Sequence, residues 1–223
     1  MLTATAAQRK PMSLIQRFFQ PDWEVEHVCQ LEPTVLAACG IRGLLLDVDC
    51  TLMPHGQWDV APDVRSWLEA LQATGMALCL VTNARRRRSE HISELLSLPC
   101  VSRAAKPLPW RTRRALEELG VPPEQVALVG DQIFTDVLVG KLLGIRTILV
   151  KPQPGRQALS TWIKRPAERL LRLFFDGPLK SPGAEAPCGT GQSQKTSART
   201  GPQDEHPLSV VSDPPSPGTS RLR

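Results

Sequence analysis

Between residues 43 and 150 the chain alternates between short apolar runs and longer segments with helical spacing. The apolar runs lie at 43–46, 76–81, 126–129 and 145–150, and their length is typical of strands buried on both faces. The apolar positions with helical spacing are Val64, Trp67, Leu68 and Leu71 in one segment and Thr112, Ala115, Leu116 and Leu119 in another. This alternation predicts an α/β fold, a three-layer doubly wound parallel sheet.

Polar side chains follow or flank these predicted strands. They are Asp47 and Asp49 after the first run, Thr82 and Asn83 after the second, Lys106 ahead of a helical segment, and Asp131 and Asp136 after the run at 126–129. The carboxyl ends of parallel strands meet at one edge of a sheet, where ligands bind. We therefore expect all seven residues to lie on one rim.

Asp47 and Asp49 are two like charges that stand close together in the chain. Their repulsion, together with loss of water, requires a cation or a base to keep both ionised, and a divalent metal would suffice. Alone, the pair would be read equally well as an exposed Asp pair that caps a helix. The later polar positions favour the catalytic interpretation.

In its order, this set resembles the signature of the haloacid dehalogenase superfamily of phosphohydrolases, Asp-x-Asp-x-Thr, then Ser or Thr, then Lys, then Gly-Asp with a further Asp. The resemblance extends over about residues 43–151. It implies that Asp47 is a nucleophile that becomes an aspartyl phosphate and that Asp49 is the general acid and base. It also implies that Thr82 and the Asn83 backbone hold phosphoryl oxygens, while Lys106 neutralises the phosphate.

Attack by a carboxylate on a phosphate brings negative groups together, and a hard cation with oxygen ligands screens them, so we expect Mg²⁺ as cofactor. The resemblance implies that Asp47, the Asp49 backbone carbonyl and Asp131 are its protein ligands. Asp136 is expected not to bind the metal itself but to orient Asp131, a metal-bound water or Lys106.

Cys50 departs from the family pattern, because close relatives usually carry Asn or Gly after the second Asp. We expect some loss of loop stabilisation and no loss of chemistry, since Cys is small and a weak hydrogen-bond donor. The other interpretation, a catalytic cysteine, is disfavoured because no His stands at a motif-like position to activate it.

The spacing between the motifs leaves no room for a cap domain. One helix and its loops account for the residues between Asp49 and Thr82 and for those between Thr82 and Lys106. The core is therefore expected to be capless and its site open. In the superfamily, capless members tend to act on macromolecular or surface-bound phosphates.

Within the superfamily the detailed match is to phosphatidylglycerophosphate phosphatases of the bacterial YqeG-type and mitochondrial group. The matching segments are 80–83, 105–107 and 130–138, with Pro21-Asp22 and Gly40-Ile41 upstream. The match implies a phosphatase that converts phosphatidylglycerophosphate to phosphatidylglycerol at an anionic membrane surface. A phosphatase of a protein, sugar or nucleotide phosphate, and a non-catalytic scaffold, stay open as alternatives.

We divide the chain into an N-terminal basic and amphipathic flank that packs on the core (1–42), a phosphatase core (43–155), a basic amphipathic helix (156–176) and a disordered tail (177–223). The amphipathic segments fit an anionic bilayer or packing on the sheet equally well. Arg85–Arg88 begin the helix nearest the site and favour an anionic headgroup. The sequence does not predict an oligomeric state.

The net charge of +5 fits either role of the amphipathic segments, but scarce aromatics and the absence of a recognised motif disfavour a nucleic-acid partner. Six cysteines without CxxC pairing favour reduced, intracellular thiols. No stretch reads as a signal peptide or a membrane span. We expect a cytoplasmic protein, peripheral on the inner face of a membrane if its basic segments bind lipid.

Overall fold

The computed structural model describes residues 13–153 and Pro182. Its strands are β1 (Trp23–Val25), β2 (Gly43–Leu46), β3 (Ala77–Val81), β4 (Cys100–Val101), β5 (Val126–Gly130) and β6 (Arg146–Val150). They form one sheet in the order β1–β6–β5–β2–β3–β4, and every pair of neighbours is parallel. This confirms the predicted doubly wound parallel sheet and places β2, which leads to Asp47, in its interior.

Six α-helices cover the two faces of the sheet. They are α1 (Leu14–Phe19), α2 (Pro33–Ala38), α3 (Pro62–Ala73), α4 (Arg86–Leu96), α5 (Pro109–Leu119) and α6 (Leu138–Leu143). Successive residues of a strand point to opposite faces, so Leu44 and Leu46 of β2 join the core formed with α2, α3 and α4. Leu45 points the other way and joins the core formed with α5 and α6. The result is the expected three-layer arrangement.

The sheet extends into the segment that the sequence analysis assigned to the N-terminal flank. β1 pairs with β6 at the edge of the sheet, and Asp22, just ahead of β1, fixes it there. The Asp22 carboxylate accepts hydrogen bonds from the backbone N–H and hydroxyl of Thr147 at 2.8 and 2.9 Å and pairs with Lys141 at 2.8 Å. The Pro-Asp pair noted in the sequence therefore anchors an edge strand to the sheet.

No cap domain interrupts the core. The chain between β2 and β3 contains a single helix, α3, and the chain between β3 and β4 contains only α4. The prediction of a capless core is confirmed, and the rim of the sheet above β2 has no inserted domain over it.

Several predictions fall outside the described residues. These are the basic amphipathic helix at 156–176 and, apart from Pro182, the disordered tail at 177–223. The described residues belong to a unit that spans Met1–Pro187; a second unit, Cys188–Arg223, lies outside them. In the part of the chain that the structure describes, no helix has the length and apolar character needed to cross a membrane, and all five cysteines are free thiols.

Candidate active site

Asp47 lies at the carboxyl end of β2, and its backbone continues the ladder, since its N–H donates to the Val129 carbonyl at 2.9 Å. The side chain is only 9% exposed. One carboxylate oxygen accepts from the Lys106 ammonium at 2.5 Å and the other from the Thr51 hydroxyl at 3.3 Å. Both contacts fix the orientation of the carboxylate at the sheet edge.

Lys106 bridges two buried carboxylates, because its ammonium also pairs with Asp136 at 2.6 Å. Burial by itself lowers the pKa of Lys106, but the charges of Asp136 and Asp47 outweigh it and hold that pKa above its ordinary value. The Asn83 side chain accepts from the Lys106 N–H at 2.9 Å and donates to the Lys106 carbonyl at 3.3 Å. Asn83 therefore positions the backbone that carries the lysine.

Asp136 reaches the site from a single π-helical turn, Ile133–Val137, that follows β5; such turns are frequent at functional sites. Its second carboxylate oxygen accepts from the Gln132 N–H at 3.1 Å and the Thr135 hydroxyl at 3.3 Å. Gly130 makes room for this side chain, because a Cβ there would lie 2.3 Å from the Asp136 carboxyl carbon. The glycine of the Gly-Asp motif is thus required by close packing.

Asp131 is the least satisfied group of the site. It is 7% exposed, and its Oδ2 is a buried oxygen without a hydrogen-bond partner among the described residues. Burial, then the charges of Asp47 and Asp136, raise the pKa of Asp131 to about 8. Burial likewise raises the pKa of Asp47 to about 7, although the Lys106 charge opposes the shift.

This cluster fits a divalent cation. Carboxylate oxygens of Asp47, Asp131 and Asp136 lie within 4.8 Å of one another, and the Lys106 ammonium pairs with Asp47 and Asp136. Three carboxylates and one ammonium leave two negative charges in excess, which a cation of charge +2 would balance. Oxygen ligands of this kind are those that Mg²⁺ prefers.

Asp49 lies outside this cluster. One nitrogen of the Arg88 guanidinium, Nη1, donates to both oxygens of the Asp49 carboxylate, at 2.8 Å to Oδ1 and 2.7 Å to Oδ2, and these hydrogen bonds are charge-assisted. His55 Nδ1 lies 3.1 Å from the same carboxylate. The guanidinium also donates to the Gln57 carbonyl at 2.7 Å and so ties α4 to the loop after β2.

Thr82 follows β3 directly, as predicted, and is 1% exposed. Its hydroxyl oxygen accepts from the Ala84 N–H at 3.0 Å. The structure therefore brings Asp47, Lys106, Asp131 and Asp136 into direct contact or close proximity, and Thr82 and Asn83 to the same edge. The roles assigned to these residues stay predictions.

Cys50 has a left-handed backbone, with φ at +64°. Glycine and asparagine tolerate this region best, which explains the residues usual at this position. Its N–H donates to the Met53 carbonyl at 2.7 Å and closes the turn after the second Asp. Cys50 in place of Asn or Gly therefore costs conformational energy of the backbone at this turn.

Sequence reasoning missed Thr51, His55 and Arg88. Thr51 is the Thr of the Asp-x-Asp-x-Thr motif, so its contact with Asp47 could have been predicted from the sequence. Arg88 was read with Arg85–Arg88 as surface charge, whereas its side chain is 12% exposed and turned inward. For His55, no sequence signal points to its contact with Asp49.

Comparisons with known proteins identify the family of this chain. A family model described as haloacid dehalogenase-like hydrolase matches residues 12–144. The chain is 31% identical over 158 residues to "Probable phosphatase YqeG" of Bacillus subtilis (strain 168), covering 71% of this chain and 92% of that protein. It is also 31% identical over 157 residues to haloacid dehalogenase-like hydrolase domain-containing protein 3 of Danio rerio, covering 64% of this chain and 63% of that protein.

Among solved structures, 3-deoxy-D-manno-octulosonate 8-phosphate phosphatase from Yersinia pestis matches with a TM-score of 0.39 and 20% identity, over 64% of this chain and 86% of that one. The sequence matches are more decisive, because the family model covers more than half of the chain and the Bacillus subtilis protein is matched over most of its length. The chain belongs to the haloacid dehalogenase-like hydrolase family.

Proposed function

We propose that this protein is a Mg²⁺-dependent phosphomonoesterase that works through an aspartyl phosphate on Asp47 and converts phosphatidylglycerophosphate to phosphatidylglycerol. The observation that carries the proposal is the Asp47 carboxylate, held by Lys106 beside the unpartnered oxygen of Asp131. This is an oriented nucleophile in a pocket whose excess negative charge calls for a divalent cation.

In the first step one oxygen of the Asp47 carboxylate attacks phosphorus, and the ester bond to the leaving oxygen breaks. Asp49 donates a proton to that oxygen, so the alcohol leaves neutral. Lys106 stabilises the charge on the phosphoryl oxygens, together with the Thr82 hydroxyl. The Thr82 oxygen accepts from Ala84 and keeps its proton for an oxygen of the substrate.

In the second step water attacks phosphorus of the aspartyl phosphate, and Asp49 takes a proton from that water. The bond between phosphorus and the Asp47 oxygen breaks, which releases inorganic phosphate and restores the carboxylate. Both steps use Asp49, first as acid and then as base. Arg88 and His55 hold its carboxylate between them.

Mg²⁺, bound by Asp47, Asp131 and the Asp49 backbone carbonyl, would supply positive charge that lets an anionic nucleophile approach an anionic phosphate. Asp136 instead engages both of its oxygens, one with Lys106 and one with its own turn. It therefore acts by positioning Lys106.

The lipid substrate is supported by the capless core. No domain is inserted between β2 and β3 or between β3 and β4, so among the described residues the site is accessible to a phosphate held at a surface. Phosphatase activity is supported separately by a bacterial relative named as a probable phosphatase, which matches over 71% of this chain. If the enzyme works on such a lipid, it does so as a peripheral protein at an anionic membrane.

The test is phosphate release from phosphatidylglycerophosphate in mixed micelles, compared with glycerol phosphate, a sugar phosphate and a nucleotide, with Mg²⁺ and with chelator. We expect a strong preference for the lipid, loss of activity with chelator, and loss in Asp47→Asn and Asp49→Asn. The matched control is Asp59→Asn, since that carboxylate is 70% exposed and pairs with Arg65 outside the site.

Acid-quenched protein should carry labelled phosphate in the wild type and none in Asp47→Asn. Full turnover in both Asp47→Asn and Asp49→Asn would refute the mechanism. A preference for one of the soluble phosphates would refute the lipid assignment and leave the phosphatase mechanism intact.

A further inference from the structure

Large hydrophobic side chains are exposed around the mouth of the site. Among residues 13–153 six such side chains are at least a third exposed, and three of them are Trp58 (49%), Leu108 (44%) and Trp110 (58%). Trp58 follows β2, and Leu108 and Trp110 follow β4, two and four residues beyond Lys106. Since all strands are parallel, these segments lie at the same sheet edge as the active site.

The exposed side chains are carried by ordered backbone. The Trp58 ring packs edge-on against His91 of α4 at 5.4 Å between centroids, and its carbonyl lies 3.2 Å from His91 Nε2. The Leu108 N–H donates to the Ala105 carbonyl at 2.9 Å, and Trp110 lies in the first turn of α5. Their exposure is therefore a fixed property of the fold.

Exposed arginines accompany these apolar positions. Arg85 and Arg87 lie at the start of α4, and Arg103 lies beyond β4, where its N–H donates to the Ala84 carbonyl at 3.2 Å. Beside them a groove of about 560 Å³ between α4 and α5 is lined by Arg86, Arg103, Arg111 and Arg114 together with Glu90, which pairs with Arg86 at 2.6 Å. The sheet edge around the active site therefore carries exposed apolar side chains and exposed arginines side by side.

We propose that this rim surface, made of Trp58, Leu108 and Trp110 with Arg85, Arg87 and Arg103, docks the mouth of the site onto the headgroup layer of an anionic bilayer. Trp and Arg are suited to that layer, because the indole has an apolar body with a polar tip and the guanidinium pairs with lipid phosphate. Three separated apolar side chains offer less area than a stable protein interface buries, which favours the membrane over a protein partner.

The proposal rests on the proposed function, in which the substrate phosphate belongs to a lipid. That phosphate stays in the headgroup layer while its acyl chains remain in the bilayer, and Asp47 is buried at the sheet edge. The two groups can meet only if the rim itself enters the headgroup layer. Docking through the rim surface would also exclude water from a site that has no cap.

The test uses the full-length protein and the double variant Leu108→Ser/Trp110→Ala. Flotation is measured with vesicles of phosphatidylcholine alone and of phosphatidylcholine with phosphatidylglycerol. We expect wild type to float with the anionic vesicles, and the double variant to bind them at least about tenfold less tightly, since two apolar side chains no longer insert. Hydrolysis of phosphatidylglycerophosphate in those vesicles should fall in parallel, whereas hydrolysis of p-nitrophenyl phosphate should not change.

The matched control is Leu142→Ser. Leu142 is 45% exposed, almost the same as Leu108, but it lies at the end of α6, just ahead of β6 and hence at the opposite edge of the sheet. We expect this variant to float and to hydrolyse the lipid like wild type.

Equal flotation of wild type and the double variant, or failure of wild type to bind anionic vesicles, would overturn the docking proposal. The proposed function is tested separately, by measuring phosphate release in detergent micelles. Wild type should release phosphate there, and Asp47→Asn should not. Asp47→Asn should still float, because its rim surface is intact.

Discussion

The substitution Asp131→Asn should stabilise the metal-free protein, although it removes a residue assigned to metal binding. Asp131 is 7% exposed, and one of its oxygens has no hydrogen-bond partner within residues 13–153. Its pKa is raised from 3.8 to about 8 by burial and by the charges of Asp47 and Asp136. In the unfolded chain the same carboxyl is hydrated and titrates near its ordinary value.

The sign follows from proton linkage. Because the folded pKa lies above the unfolded one, folding is increasingly penalised as the pH rises from about 4 to about 8. A difference of about four units corresponds to about 5 kcal/mol once the pH exceeds both values. The new amide costs about 1–3 kcal/mol for imperfect hydrogen bonding, so we expect a net gain of about 2–4 kcal/mol near pH 8 and almost none near pH 5.

The assay is thermal unfolding in chelator at both pH values. For a domain of this size the gain corresponds to a rise in Tm of roughly 5–15 °C at the higher pH. Added Mg²⁺ should raise the Tm of wild type and not that of Asp131→Asn, which reduces the difference between them. The control is Asp59→Asn, whose exposed carboxylate should give a small change at either pH. A lower Tm for Asp131→Asn in chelator near pH 8, or an equal difference at both pH values, would refute the reasoning.

Three further predictions concern neighbouring positions. In a single turnover, Arg88→Ala should slow formation of the aspartyl phosphate about 100-fold from alkyl phosphates and less than about fivefold from p-nitrophenyl phosphate, because only the poor leaving group needs the proton that Asp49 supplies in that step. Equal losses on both substrates would contradict this role, and Arg88→Lys should recover part of the loss. Lys106→Met should destabilise the protein by about 3–5 kcal/mol at neutral pH, since it strands the two buried carboxylates that the lysine bridges. In urea unfolding this loss should shrink as the pH falls and the carboxyls take up protons; a pH-independent loss would speak against it. Cys50→Asn should raise stability by about 1 kcal/mol by relieving a left-handed backbone, with turnover within about threefold of wild type. A collapse of turnover there would show that the thiol takes part in the chemistry.

The predicted strands and helices agree closely with the structure, because local hydrophobic spacing carries that information. The helix predicted around Val64–Leu71 spans Pro62–Ala73, and the run at 126–129 becomes β5. β1 and β4 were missed, since three and two residues at the edges of the sheet give too short a pattern. The place of β1 depends on Asp22 bonding to Thr147, 125 residues away in the chain.

The features of the active site likewise fall into those that the sequence predicts and those that it does not. The order of acids, hydroxyl and lysine is readable from the chain, because each follows a strand and the parallel sheet collects strand ends at one edge. Which side chains pair with one another is not readable. Asp136 engages Lys106 across 30 residues, and Arg88 engages Asp49 across 39, although the sequence presents that arginine as one of a run of surface charges.

By itself, then, the sequence determined the fold class, the capless core and the set of polar residues at the rim, since these depend on local periodicity and on spacing along the chain. Only the tertiary structure decided that Lys106 stands between Asp47 and Asp136, that Arg88 holds Asp49, and that one oxygen of Asp131 is left without a partner. Those outcomes depend on side-chain orientation and on contacts between distant segments, which exist only once the core has packed.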